Sequence, residues 1–267
     1  MSGPDARMPL TPLIGTSLAL HAAALPTAAI APERWPWIVG ALVADHLVIL
    51  GGGLAPRSAL LGPNVVRSEA AAASGGVVLT FDDGPDPAVT PRVLDQLDAH
   101  RASATFFCIG ERVARCPELA QELVHRGHRV ENHTHSHRAL FFFHRPSSLD
   151  REIAACQEAV AQACGRVPSY FRAPAGIRSP LLQGALRRSG LKLVSWTRRG
   201  FDTVARDPAH VAARLTRGMR AGDVIVLHDG SSHSRSTARP MVTEALPRVL
   251  DAIAAAGLRA VALGAGA

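Results

Sequence analysis

Asp82 and Asp83 stand side by side in LTFDDGPD (Leu79–Asp86), directly after a short apolar run. Adjacent carboxylates repel each other and resist burial unless a cation or hydrogen bonds compensate, so a positive partner is expected nearby. His133 and His137, in ENHTHSH (Glu131–His137), are spaced i, i+4, which would put both imidazoles on one side of a helical turn. A carboxylate from another strand would complete a two-histidine, one-carboxylate site for a divalent metal, with a position left open for water. One aspartate would then hold the cation. The other, kept ionised beside it, could take a proton from a water that the cation acidifies.

Two further stretches belong with these: FRAPAG (Phe171–Gly176) and LHDG (Leu227–Gly230), with Asp202 between them. Taken singly, each has a bland reading. DDGPD is a common solvated turn, HxxxH arises by chance where His135 and His144 are also present, RAPAG is a loop, and His228-Asp229 is a strand end. Their occurrence in order, each at the end of an apolar run, is what points to a site.

The elements that must position them alternate in type. Short apolar runs read as strands at Val77–Phe81, Ala104–Ile109, His128–Asn132, Tyr170–Ala173, Leu191–Thr197, Asp223–Leu227 and Leu258–Leu263. Between them lie segments such as PELAQELVHRG and SLDREIAACQEAVAQACG, with apolar residues at three-and-four spacing and a closing Gly. Alternation of this kind predicts an α/β fold, a distorted (β/α) barrel of about seven parallel strands. The C-terminal strand ends of such a barrel share one face, so sequence-distant residues converge there. No glycine-rich nucleotide loop follows the first strand, because acids stand where phosphate would need free backbone N–H groups.

Hydrophobic residues make up 47% of the 267-residue chain, and the excess sits at the front. Leu10–Ala31 contains no Asp, Glu, Lys or Arg, and Trp35–Pro56 contains only Asp45. Each stretch is long enough to cross a hydrocarbon core of roughly 30 Å as a helix. Residues 1–61 are therefore expected to form a two-helix transmembrane hairpin, with Trp35 and Trp37 at an interface. A cleaved signal peptide followed by a buried helix is the alternative, since ALPTAA offers small residues for cleavage. Residues 62–76, small and turn-rich, read as a linker, and 77–267 as the catalytic domain. The net charge of +7 comes from scattered arginines with Lys192 the only lysine, so nucleic-acid binding is not expected, and a membrane surface or phosphorylated lipid carrier fits better. The four cysteines have no metal-ligand spacing. Cys156 and Cys164, eight apart in one expected helix, are too distant to bridge.

TFDDGP, HTHSH, FRAPAG and LHD, in this order and at these separations, resemble the polysaccharide deacetylases of carbohydrate esterase family 4, from about Val77 to the C-terminus. The resemblance implies a distorted (β/α) barrel and metal-dependent hydrolysis of an N-acetyl group on a sugar, a carbon-nitrogen bond other than a peptide bond. It implies Asp82 as general base, and Asp83, His133 and His137 as ligands of a divalent metal, usually Zn2+. Arg172 would orient Asp82, His228 would protonate the leaving amine, and a backbone N–H near Ala175 would help hold the oxyanion. The match departs in the fourth motif, where RRGFDT puts Arg199 at the position of an aspartate and Thr203 at that of a tryptophan. Asp202 remains to buttress His228.

These features imply a membrane-anchored N-deacetylase whose partners are an N-acetylated carbohydrate and membrane lipids. An amidase or deformylase acting on a lipid-linked aminosugar is the second reading, favoured by the altered fourth motif and the apolar LFFF at Leu140–Phe143. A catalytically silent binding module is the third, and a binder would need neither acid nor base. Arg7, Arg57 and Arg67 against Arg34 in the intervening loop place the catalytic domain on the cytoplasmic side of the inner membrane by the positive-inside rule.

Overall fold

A computed structural model of the chain describes residues 10–138, 141, 144–230 and 240–264. Eight short strands, all parallel, form one curled sheet: β1 (Gly76–Asp82), β2 (Thr105–Cys108), β3 (Arg129–Asn132), β4 (Tyr170–Phe171), β5 (Lys192–Leu193), β6 (Arg198–Arg199), β7 (Val224–His228) and β8 (Arg259–Val261). The spatial order is β5-β4-β3-β2-β1-β7-β6. β1 is the hub: β2 pairs with its C-terminal half, β8 with its N-terminal half, and β7 runs along its other edge. All seven residues of β1 are buried, as expected of a central parallel strand covered on both faces. Helices α4 (Thr90–Ala99), α5 (Gly110–Arg115), α6 (Pro117–His125), α7 (Pro146–Cys164), α8 (Leu182–Arg188), α9 (Pro208–Thr216) and α10 (Met241–Ala255) follow the strands. α7 shows why these segments fold as read. Leu149, Ile153, Cys156 and Val160 form its buried stripe, and Gly165, at φ 65°, ends it in the left-handed region. Among the described residues all four cysteines are free thiols.

The fifth expected run departs from its reading. Its regular strand ends at Leu193 and the next begins at Arg198; between them the Val194 N–H still donates to Phe171 and the Ser195 N–H to Val65, while the Val194 and Ser195 carbonyls accept from the Arg172 guanidinium. The sheet is open between β5 and β6, the two ends of the strand order. The stretch expected as a linker helps cover that opening. Val65 pairs with Val194, Arg67 with Asp223, and Ser68 caps the short α3 (Glu69–Ala73). Residues 62–76 are thus part of the barrel wall and not a free tether.

Ahead of the barrel, α1 (Pro12–Ile30) and α2 (Trp35–Leu54) pack on each other through a short turn at Pro32–Arg34. Both are long and apolar enough to cross a bilayer, and Leu25, Ile30, Trp35, Trp37 and Leu47 face outward. Asp45 is satisfied inside the pair, where the Ser17 hydroxyl donates to it at 2.7 Å. His21 and His46 lie edge-to-face beside it, with ring centroids 5.2 Å apart and each Nδ1–H donated to the carbonyl one turn back.

Candidate active site

The C-terminal ends of β1, β3, β4 and β7 deliver the polar residues to one face. Asp82 is the last residue of β1 and His228 the last of β7, and the strand register sets them directly opposite each other. Asp83 follows with φ 72°, a left-handed conformation that is costly without a Gly and turns its carboxylate away from that of Asp82. The two neighbours consequently meet different partners. Asp82 Oδ1 accepts from Arg172 Nη1 at 2.6 Å, while Asp83 Oδ1 faces His133 Nε2 at 3.3 Å and His137 Nε2 at 3.2 Å.

The histidine pair converges by a route other than the expected one. Residues after β3 are not helical: Thr134 at φ 65° and His137 at φ 48° break any helical turn. The loop is held instead by Asn132, whose carboxamide oxygen accepts from the Thr134 N–H, and by Glu152 on α7, which accepts from both the backbone and hydroxyl of Ser136. The rings end 4.9 Å apart. His133 donates Nδ1–H to the Arg172 carbonyl at 2.8 Å, which leaves Nε2 as its lone-pair nitrogen toward Asp83. One ligand atom from each of Asp83, His133 and His137 lies within 4.8 Å of the others.

Arg172 is fully buried behind this cluster. Besides Asp82 it donates to Thr80 Oγ1 at 2.7 Å and to the Ser195 carbonyl at 3.0 Å, and it lies over the Phe107 ring. Removing it would strand Asp82, a 4% exposed carboxylate, without its cation. Arg172→Leu is therefore expected to cost about 3–5 kcal/mol of stability. Denaturant unfolding at neutral pH checks this, and a loss under ~1 kcal/mol would show that the ion pair does not carry Asp82.

His228 is held from behind by Asp202. One carboxylate oxygen accepts from the His228 backbone N–H at 2.8 Å, and the other from Nδ1 at 2.9 Å. Burial by itself would lower the imidazole pKa, but the charge and hydrogen bond of Asp202, with Asp82 and Asp83 adding to them, push it up to about 9. Asp83 shows the converse balance. Burial opposes its ionisation, yet the close contact with His133 and the charges of His228 and His137 hold it well below the usual carboxylate range.

Asp82, Asp83, His133, His137 and His228 line a cleft of about 160 Å³, walled by Ala175, Gly176, Trp196, Arg199, Thr203 and Val226. Ala175 sits at its rim with φ 56°, in the short turn Pro174–Gly176. The sequence reading did not single out Trp196, whose ring underlies Arg172 and Arg199. Its only signal was a large aromatic at the end of an expected strand. An exposed aromatic is also present at Phe201, flanked by Arg199 and Arg214, one residue before Asp202 and not after it. Of LFFF, only Phe141 lies among the described residues, and it is buried against Phe171.

A half-open parallel barrel with an aspartate and two histidines clustered at its strand ends, beside a second aspartate and a carboxylate-backed histidine, is the make-up of a metallohydrolase. The comparisons agree with that class. Residues 70–194 match the model of the polysaccharide deacetylase family. A chitooligosaccharide deacetylase of Bradyrhizobium sp. (strain ANU 289) is 35% identical over 184 residues, 66% of this chain and 84% of the relative. A peptidoglycan-N-acetylglucosamine deacetylase of Bacillus cereus is 30% identical over 191 residues, 68% of this chain and 84% of the relative. A family 4 carbohydrate esterase from Streptomyces lividans, solved in complex with acetate, superposes with a TM-score of 0.63 at 30% identity, covering 70% of this chain and 91% of that one. The chain belongs to the polysaccharide deacetylase family.

Proposed function

We propose that the protein is a membrane-anchored hydrolase that removes N-acetyl groups from an N-acetylated sugar. The observation that carries this is the convergence of Asp82, Asp83, His133, His137 and His228 in one cleft. The residues fit a divalent metal: Asp83 Oδ1 is buried with no hydrogen-bond partner among the described residues, and two imidazole nitrogens stand just over 3 Å from it. Asp83, His133 and His137 would hold the ion, and zinc suits two imidazoles and one carboxylate with an open position. When bound, it supplies Lewis-acid polarisation of the acetyl carbonyl and activation of the attacking water.

The chain's own residues perform the rest. Asp82, ion-paired with Arg172, takes a proton from the attacking water as the C–O bond forms. His228, kept protonated by Asp202, gives its proton to the amine nitrogen as the C–N bond breaks, so that acetate and a free amine leave. The turn at Ala175 lies at the rim where a backbone N–H could meet the carbonyl oxygen. Full-length protein in detergent should release acetate, and not formate, from N-acetylglucosamine oligomers, and chelation should abolish the release. Formate release from a formylated aminosugar with no acetate release would favour the deformylase reading. Metal binding without either would favour the silent module.

Residues 1–61 act as the anchor and the barrel from residue 62 onward as the catalytic unit. The arginine count near the spans puts that unit on the cytoplasmic side, which conflicts with work on finished polymers outside the cell and agrees with a precursor at the bilayer surface. A reporter fused after Ala267 tests this. Fluorescence of a cytoplasm-dependent protein is expected, and alkaline phosphatase activity there would sink the precursor reading.

A further inference from the structure

We infer that the substrate is an N-acetylated sugar held in the membrane through a phosphate, and that Arg199 binds this phosphate. The inference rests on the deacetylase reading above and names its substrate class. Its first support is the place where the hairpin meets the barrel. The end of α2 is joined to the segment that follows the cleft residues Ala175 and Gly176. The Arg178 N–H donates to the Gly53 carbonyl at 3.0 Å, and Arg178 Nη2 donates to the Gly52 and Ser58 carbonyls at 3.2 and 2.7 Å. At Gly53 any Cβ would come within 2.6 Å of the Arg178 carbonyl oxygen, so only glycine permits this seam. Pro56, two residues past α2, sits against Gly176, which lines the cleft, and Arg57 donates to the Thr197 carbonyl beside Trp196. One residue layer therefore separates the end of an apolar span from the site. A cleft fixed at that height meets sugars displayed at the bilayer surface.

The second support is the charge in the cleft. Arg199 places a guanidinium on the wall of the cleft. Its guanidinium lies over the Trp196 ring at 5.1 Å and near Phe201 at 4.9 Å, and its Nε is buried with no hydrogen-bond partner among the described residues. A neutral sugar oligomer offers no anion to answer it. A planar guanidinium pairs with carboxylate or phosphate. Of these, only phosphate keeps a negative charge while joining two groups: a carboxylate that becomes an ester is neutral, a phosphodiester is not. An anion that also tethers a sugar to a lipid is therefore a phosphate.

The test compares three probes on full-length protein reconstituted in phosphatidylcholine vesicles: N-acetylglucosamine 1-phosphate esterified to a prenyl chain, the same sugar phosphate without the chain, and neutral chitotetraose. The tailed phosphate should have the highest kcat/KM. Arg199→Ala should reduce the ratio of tailed phosphate to chitotetraose about 10- to 100-fold, the range for a lost charge-assisted hydrogen bond. Arg199→Lys should restore part of it. Bound metal, measured in each variant, reports an intact site. An unchanged ratio in metal-replete Arg199→Ala, or wild-type turnover of chitotetraose as efficient as that of the tailed probe, overturns the inference while leaving the deacetylase reading in place. Equal efficiency with and without the chain overturns the membrane attachment and points to free sugar phosphates. Acetate from none of the three overturns the deacetylase reading itself.

Discussion

Asp83→Ala, His133→Ala and His137→Ala should each lose stoichiometric metal, whereas Asp82→Asn should keep the metal and lose turnover by about 10²- to 10⁴-fold, the range typical of a removed general base. The division follows from one backbone feature. With Asp83 in the left-handed region, adjacent carboxylates point to separate partners, one to Arg172 and one to the two histidines. Elemental analysis of purified variants, with acetate release measured on the same samples, checks it. Should Asp82→Asn shed its metal as readily as Asp83→Ala, the two carboxylates share the ion and the proposed roles are wrong.

The second large effect concerns pH. His228 acts as an acid only while protonated, and its pKa is pushed up to about 9, so kcat/KM should hold through neutral pH and fall on the alkaline side near that value. Asp202→Asn removes the strongest of the influences that raise it and leaves burial, which lowers it. The alkaline limb should then move down toward the ordinary histidine value of about 6.5 or below. A cation held by Asp83 would offset the contribution of that carboxylate, so the shift caused by Asp202 is the part that belongs to His228 alone. His228→Ala should lose the limb entirely and most of the rate, with metal content unchanged. A limb that survives in His228→Ala, or one that stays in place in Asp202→Asn, removes His228 from the role of acid.

The motifs were legible in the sequence because the chemistry constrains residue type. Proton transfer and metal binding need carboxylates and imidazoles, and a parallel α/β alternation requires such residues to gather at strand ends. All seven expected runs became strands for a similar reason, since buried parallel strands read as apolar runs bounded by turns. The two long apolar helices at the front were legible too, because the capacity to cross a bilayer is a matter of length and charge.

What the tertiary structure decided are the features that depend on partners remote in sequence. HxxxH looked helical because spacing alone carries a period. The loop is instead pinned by Asn132 and by Glu152, and no local pattern announces a restraint from a helix that begins beyond the loop. The fifth run kept a regular strand only at Lys192–Leu193, and the carbonyls of Val194 and Ser195 that follow serve the buried Arg172, whose need for acceptors no local pattern shows. Residues 62–76 looked like a linker since they are small and polar, but an open edge between β5 and β6 leaves backbone groups unpaired. Val65 and Arg67 satisfy part of that demand. Composition also left open where the hairpin and the cleft meet. That seam depends on the Gly53 and Arg178 backbones approaching closely, and residues so far apart along the chain become neighbours only in the folded protein.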